Sequence, residues 1–181
     1  WPAFSGIVGI PQDHPSFELV FGAERADDPA LAVVRDLMAR YPLVRAKIVV
    51  HSGLPGLNPK VRNLRGMIGN ASHDLILVSD SNVRAPGGYL RELASIKASD
   101  PSIGLVTNLF AGIGAGSLGS DLESVQLTGF IAAGAALPTT VGDAAVIGKS
   151  MLMSRSELEE LGGFERVADV PPQRDPPALG L

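Results

Sequence analysis

The sequence predicts an α/β domain built on a mostly parallel, doubly wound sheet. Three observations predict it. Short apolar runs alternate with stretches of helical periodicity, the pattern of strand–helix–strand units. The run Leu75–Val78 is apolar at every position, as a strand covered on both faces must be. Asp27-Asp28 and Asp80 each come just after a strand, which is how a parallel sheet delivers polar groups to its carboxyl edge, where α/β proteins bind ligands.

Each element follows from local chemistry. Phe17 to Phe21 reads as a strand ending at Gly22. Asp27-Asp28-Pro29 then opens a helix, with Leu31, Val34, Leu37 and Met38 on one face and Tyr41-Pro42 near its end. Ala46 to Val50 is a second strand, and His51 to Leu57 a glycine-bearing loop. Asn58-Pro59-Lys60 starts a helix whose apolar residues are Val61, Leu64 and Ile68. Leu75 to Val78 is the third strand. A helix is expected over 86–98, stopped by Asp100-Pro101, and a fourth strand over 103–109. Residues 112–119 read as a loop, 121–136 as a helix and 144–153 as extended. Ser154 caps a helix to Leu161, which Gly162-Gly163 ends. Residues 1–169 make one domain. The tail over 170–181 is proline-rich and suits neither a helix nor a central strand.

Composition narrows the function classes. The chain has 181 residues, of which 45% are apolar, enough for a sizeable core. Net charge is −4 with no basic block, which argues against nucleic acid as a partner. Cysteine is absent, which excludes disulfides and thiolate metal sites. The N-terminus has no signal-peptide pattern, and no run approaches the roughly 18 apolar residues of a membrane span.

The candidate chemistry centres on Asp80-Ser81-Asn82. Asp80 with Asn82 can hold a divalent cation, and the cation a diphosphate; the plain alternative is a capped strand-to-helix turn. Asp27 and Asp28 share the same predicted edge and serve either as a cap or as acceptors for a base or ribose. Lys60, in the first turn of its helix, can contribute to an anion site. Gly114 to Gly119 fits the dinucleotide pattern G-x-G-x-x-G, but lies too far past its strand for the tight turn, and no acidic strand end follows. Gly148-Lys149-Ser150 ends like a phosphate loop, yet Asp143 stands where that motif needs glycine. His14, His51 and His73 show no ligand spacing.

Taken together, Phe17–Gly22, Asp27–Ala30, Asn58–Leu64, Ser79–Arg84, Gly104–Thr107 and Leu161–Phe164 resemble the ceramide glucosyltransferase family, including its bacterial and hopanoid-associated relatives. The resemblance runs from about Gln12 to Asp169. It implies a GT-A fold (the nucleotide-diphospho-sugar transferase architecture), a UDP-sugar donor, Mn2+ or Mg2+, inversion at the sugar, and a lipid acceptor such as ceramide. It also implies association with the cytoplasmic face of a membrane. By position it carries Asp28, with Asp27 beside it, and Lys60 and Asn63 to the donor, and Asp80 to metal and diphosphate. The resemblance departs at both ends. Trp1 to Pro11 does not align, the family's acidic pair after Gly162-Gly163-Phe164 is replaced by a proline-rich stretch, and its later Gln-x-x-Arg-Trp motif is not found. The chain therefore reads as a truncated or diverged core, with Asp175 as the remaining candidate base. The alternatives are a non-catalytic UDP-sugar-binding remnant and a dinucleotide-binding oxidoreductase domain.

Overall fold

The computed structural model describes residues 17–80, 83–108 and 146–169, without the side chain of Val167. The expectations for Asn82, Asp175, the loop over 112–119 and the helix over 121–136 fall outside these residues. The described chain is mixed α/β. Strand β1 (Leu19–Ala23), helix α1 (Ala30–Arg40) and strand β2 (Ala46–Val50) come first, then α2 (Pro59–Ile68), β3 (Leu75–Ser79) and α3 (Tyr89–Ser99). Strands β4 (Val106–Thr107) and β5 (Ser150–Ser154), helix α4 (Arg155–Glu160) and a 3-10 turn (Phe164–Val167) follow.

β1 and β2 are parallel, with Leu19 opposite Ala46 and Ala23 opposite Val50, so the first unit is a right-order strand–helix–strand as expected. The second sheet departs from the expectation. Its order is β3-β5-β4, and β5 runs antiparallel to both neighbours, with Leu77 and Val106 each opposite Leu152. The correction has a simple cause. Apolar periodicity reports which faces are buried, and it carries no information on strand direction. β4 is shorter than expected because Ile103 turns away from the ladder: its N–H bonds the Asp100 carbonyl at 3.1 Å, and Lys97 Nζ takes its own carbonyl. α3 starts three residues later than Pro86, since Gly88 sits in the left-handed region at φ 81° and makes a turn first.

The core forms where α2 meets the second sheet. Val61, Leu64 and Met67 of α2 pack with Val78, Met153, Leu158, Phe164 and Ala168. Leu93, Val106 and Leu152 make a smaller cluster on the other side. Helix α1 buries Leu31 and Val34 completely, as its periodicity predicts. β1 and β3 do not pair; between them lies an apolar cavity of about 340 Å³, lined by Leu19, Val20, Ile76, Leu77, Leu93 and Phe164. Glu18, His73, Asp74 and Ser79 also contribute to its lining.

α2 lies unusually close to the first sheet. A Cβ on Gly22 would stand 2.6 Å from Met67 Cγ, and one on Gly66 2.3 Å from His51 Cδ2. The second contact is the more restrictive, because His51 Cβ itself is 2.9 Å away and a ring rotation does not clear it. Gly66→Ala should therefore lower stability by about 1–3 kcal/mol through overpacking, against the roughly 1 kcal/mol that alanine gains in a helix. The denaturation midpoint measures it, and His51→Ala in the same chain should recover part of the loss. An unchanged midpoint in Gly66→Ala would mean that the helix moves away at no cost.

Ser154 begins α4 through a capping box: its Oγ accepts the Glu157 N–H at 3.2 Å, and Glu157 Oε2 accepts the Ser154 N–H at 2.7 Å. Lys97 of α3 bonds Glu157 Oε1. The Lys97 ammonium first, and then the Ser154 N–H, hold the Glu157 carboxyl down from its ordinary 4.5 to about 2. A depressed carboxyl stabilises the fold above its unfolded value and loses that contribution as pH falls through its folded value. The stability difference between the native chain and Glu157→Gln should be full at neutral pH and shrink from pH 4.5 towards about 2. Melting curves across that range test it; a difference independent of pH would remove the carboxylate from the account.

Candidate functional site

Asp80 follows the last residue of β3, and its N–H donates to the Lys149 carbonyl at 3.1 Å, which extends the β3–β5 ladder by one step. This places the carboxylate at the end of the second sheet. Lys60 reaches it from the start of α2. Asn58 caps that helix, its Oδ1 accepting the Lys60 N–H at 3.0 Å, and Pro59 fills the first helical position. Lys60 Nζ then lies 2.6 Å from Asp80 Oδ1 and donates to the Gly148 carbonyl at 2.8 Å. Lys149, entering β5, brings a second ammonium to 4.0 Å from Asp80 Oδ2. The three side chains are each about a quarter to a third exposed, as groups in an open cleft are.

A polar layer fixes the strand ends beneath them. The Tyr89 hydroxyl bonds Ser150 Oγ. Asn108 Nδ2 donates to both, at 3.0 and 3.3 Å. Thr107 Oγ1 lies 2.9 Å from the Ile147 carbonyl and 3.1 Å from that of Ser150, and accepts the Ile147 N–H at 3.2 Å. The segment carrying Gly148 and Lys149 is thus tied to β4 and α3, so the position of Lys149 is built in.

The other expected residues stand differently. Asp28 Oδ1 accepts the Ala30 N–H at 2.9 Å, the capping role that its sequence position also allowed. Asp27 pairs with Arg25 at the surface, and the Arg25 guanidinium holds its carboxyl below the usual range. Asn63 is buried within α2, with its Oδ1 2.5 Å from His51 Nε2. An amide oxygen accepts, so His51 Nε2 donates, while Nδ1 is buried and without a hydrogen-bond partner among the described residues. Beside it, Glu24 bonds Arg62, whose guanidinium keeps the Glu24 carboxyl low, and Arg62 also donates to the Gly56 carbonyl at 2.6 Å. The structure therefore brings Lys60 and Asp80 together and turns the Asn63 side chain toward His51.

Sequence reasoning missed Lys149, Ser150, Tyr89 and Asn108. The signal was Gly148-Lys149-Ser150, tested only as a phosphate loop. That motif needs a helix after it, and β5 follows here instead. The tripeptide has another use: it delivers a lysine beside Asp80 from an antiparallel strand.

A divalent cation fits the described side chains poorly. Magnesium and manganese take several oxygen ligands, and the cluster supplies one carboxylate, already facing two ammonium groups. Among the described residues no group of three metal-ligating side chains exists. Neither is any helix among them long and apolar enough to cross a membrane.

Comparison with known proteins agrees with a sugar-transfer ancestry. The family model described as glycosyl transferase family 21 matches residues 9–170. Ceramide glucosyltransferase 1 of Caenorhabditis elegans is 30% identical over 157 residues, covering 86% of this chain and 34% of the relative. Ceramide glucosyltransferase 3 of the same organism is 37% identical over 94 residues, 52% of this chain and 20% of that one. The ceramide glucosyltransferase of Komagataella phaffii is 37% identical over 83 residues, 44% of this chain and 16% of its own length. The chain thus spans about a third or less of these relatives. No solved structure gives a significant match. The match over residues 9–170 covers most of the sequence, and the chain belongs to glycosyl transferase family 21.

Proposed function

We propose that this chain is the donor-binding core of an inverting, GT-A-type hexosyltransferase that moves a hexose, glucose in the first instance, from a UDP-sugar to a lipid acceptor such as ceramide. The observation that carries the reading is the convergence of Lys60 and Lys149 on Asp80 at the end of the second sheet, in a family 21 chain. The names of the relatives support the acceptor class. The β1–α1–β2 unit, parallel as in nucleotide-binding α/β folds, supports the GT-A reading. A lipid acceptor calls for work at a membrane surface, and the resemblance implies its cytoplasmic face.

In this reaction a base removes the proton of the acceptor hydroxyl, whose oxygen attacks the anomeric carbon as the bond to UDP breaks. Negative charge grows on the departing diphosphate, and fixed positive groups aimed at it stabilise the transition state. The ammonium groups of Lys60 and Lys149 suit that task. Asp80 does not suit the task of base, since two cations face its carboxylate. A second reading, a unit that binds the donor without transferring it, rests on the proline-rich stretch that stands where the family has its acidic pair.

Donor binding is read by melting temperature. UDP-glucose at a hundredfold above its dissociation constant adds about 2.7 kcal/mol, and each kcal/mol raises the midpoint by about 2–4 °C in a domain of this size. A rise of several degrees with UDP-glucose and none with NAD is expected. The reverse would identify a dinucleotide-binding domain.

Transfer is read separately, with UDP-glucose and ceramide liposomes. This chain is expected to bind the donor yet form product slowly, because a placed base typically supplies about 10²–10⁴-fold. Rapid turnover that falls by that factor in Asp175→Asn would make Asp175 the base. Rapid turnover that survives the substitution would assign proton removal to another residue.

A further inference from the structure

We infer that Lys60 and Lys149 form a two-cation clamp for the donor diphosphate, with Asp80 as the counter-charge they hold in its absence, so that donor binding does not depend on a divalent cation. The inference rests on the nucleotide-sugar reading above and departs from the sequence expectation for Asp80 as a metal ligand.

Three observations lead to it. First, the two ammonium groups approach opposite oxygens of one carboxylate, at 2.6 Å from Oδ1 and 4.0 Å from Oδ2. A carboxylate with its two oxygens is a fair image of the anionic edge of a phosphate, and the lysines already surround such a group. Second, the cations come from separate elements that are each held in place. Lys60 stands in a capped first turn, at the positive end of the α2 dipole. Lys149 stands in a segment tied down through Thr107 and Ser150. Third, among the described residues two ammonium groups face this one carboxylate. A diphosphate entering here finds cations without any added ion. A metal ion must instead displace Lys60 from Asp80 and then sit beside two like charges.

The two accounts give opposite signs for one substitution. If Asp80 holds a metal, Asp80→Asn weakens UDP binding and removes its dependence on manganese. If Asp80 is the counter-charge, Asp80→Asn keeps both lysines in the site and takes a repelling carboxylate away from the phosphates. UDP should then bind as well as before or more tightly.

Calorimetry of UDP and of uridine, each in EDTA and in manganese, tests this on the full chain. Expected are equal UDP affinities in the two conditions, and about tenfold or greater loss in Lys149→Met and Lys60→Met, the size of a charge-assisted hydrogen bond. Lys149→Arg should keep most of the affinity. Uridine, which has no phosphate, should bind all of these variants alike, which separates a lost cation from a damaged fold. Asp80→Asn should not weaken UDP. UDP binding that needs manganese and is lost in Asp80→Asn overturns the clamp while leaving the donor reading in place. UDP binding in none of the conditions overturns both.

Discussion

The close seat of α2 on the first sheet is the constraint from which the rest of the molecule follows. Residues without a Cβ let backbones come nearer than larger side chains allow. Here Gly22 admits Met67 and Gly66 admits the His51 ring. With the helix pressed in at both points, its rotation about its own axis is set. Val61, Leu64 and Met67 then face the core, Asn63 meets His51, and the first turn presents Lys60 toward the end of β3. Apolar contact supplies the energy, and the two glycines decide the geometry.

The same seat explains how a shared charge cluster arises from elements distant in the chain. β3 and β5 are joined residue by residue from Leu75–Ser154 to Ser79–Ser150, and the Asp80 N–H adds a further bond to Lys149. Asp80 and Lys149 are therefore neighbours by strand register, a short-range relation. Lys60 joins them only because α2 is fixed against the first sheet. The salt bridge itself is half-open to water, and pairs of that kind contribute little to stability. Its value lies in keeping long, flexible side chains in one place.

Much of this architecture was legible in the residues. Asn58-Pro59 marks the start of α2, Ser154 with Glu157 marks the start of α4, and Leu31 with Val34 marks the buried face of α1, because caps and helical periodicity are local properties. The edge position of Asp80 was legible for the same reason. Strand direction was not: β5 reads as an apolar run whichever way it enters the sheet. The partnership of Lys149 with Asp80 was hidden with it, since it exists only in the antiparallel register. Asn63 is a different case. Its polar side chain and its place in the resembling segment pointed to the donor, while burial against a histidine 12 residues earlier is a tertiary fact.

The contacts that complete the site span long stretches of chain. Lys60 reaches a carbonyl 88 residues further on, and Arg65 on the same helix bonds Glu165, 100 residues away. The loop before α2 is closed likewise, by the bond from the Leu57 N–H to the Ala168 carbonyl at 2.9 Å. Contacts of such separation form slowly, because the entropy of closing the loop comes before the contact itself. During synthesis the first sheet can form as soon as β2 has emerged. The lysine of α2 must wait for Gly148, and the loop in front of it for Ala168, so the residues of the candidate site are among the last to find their places.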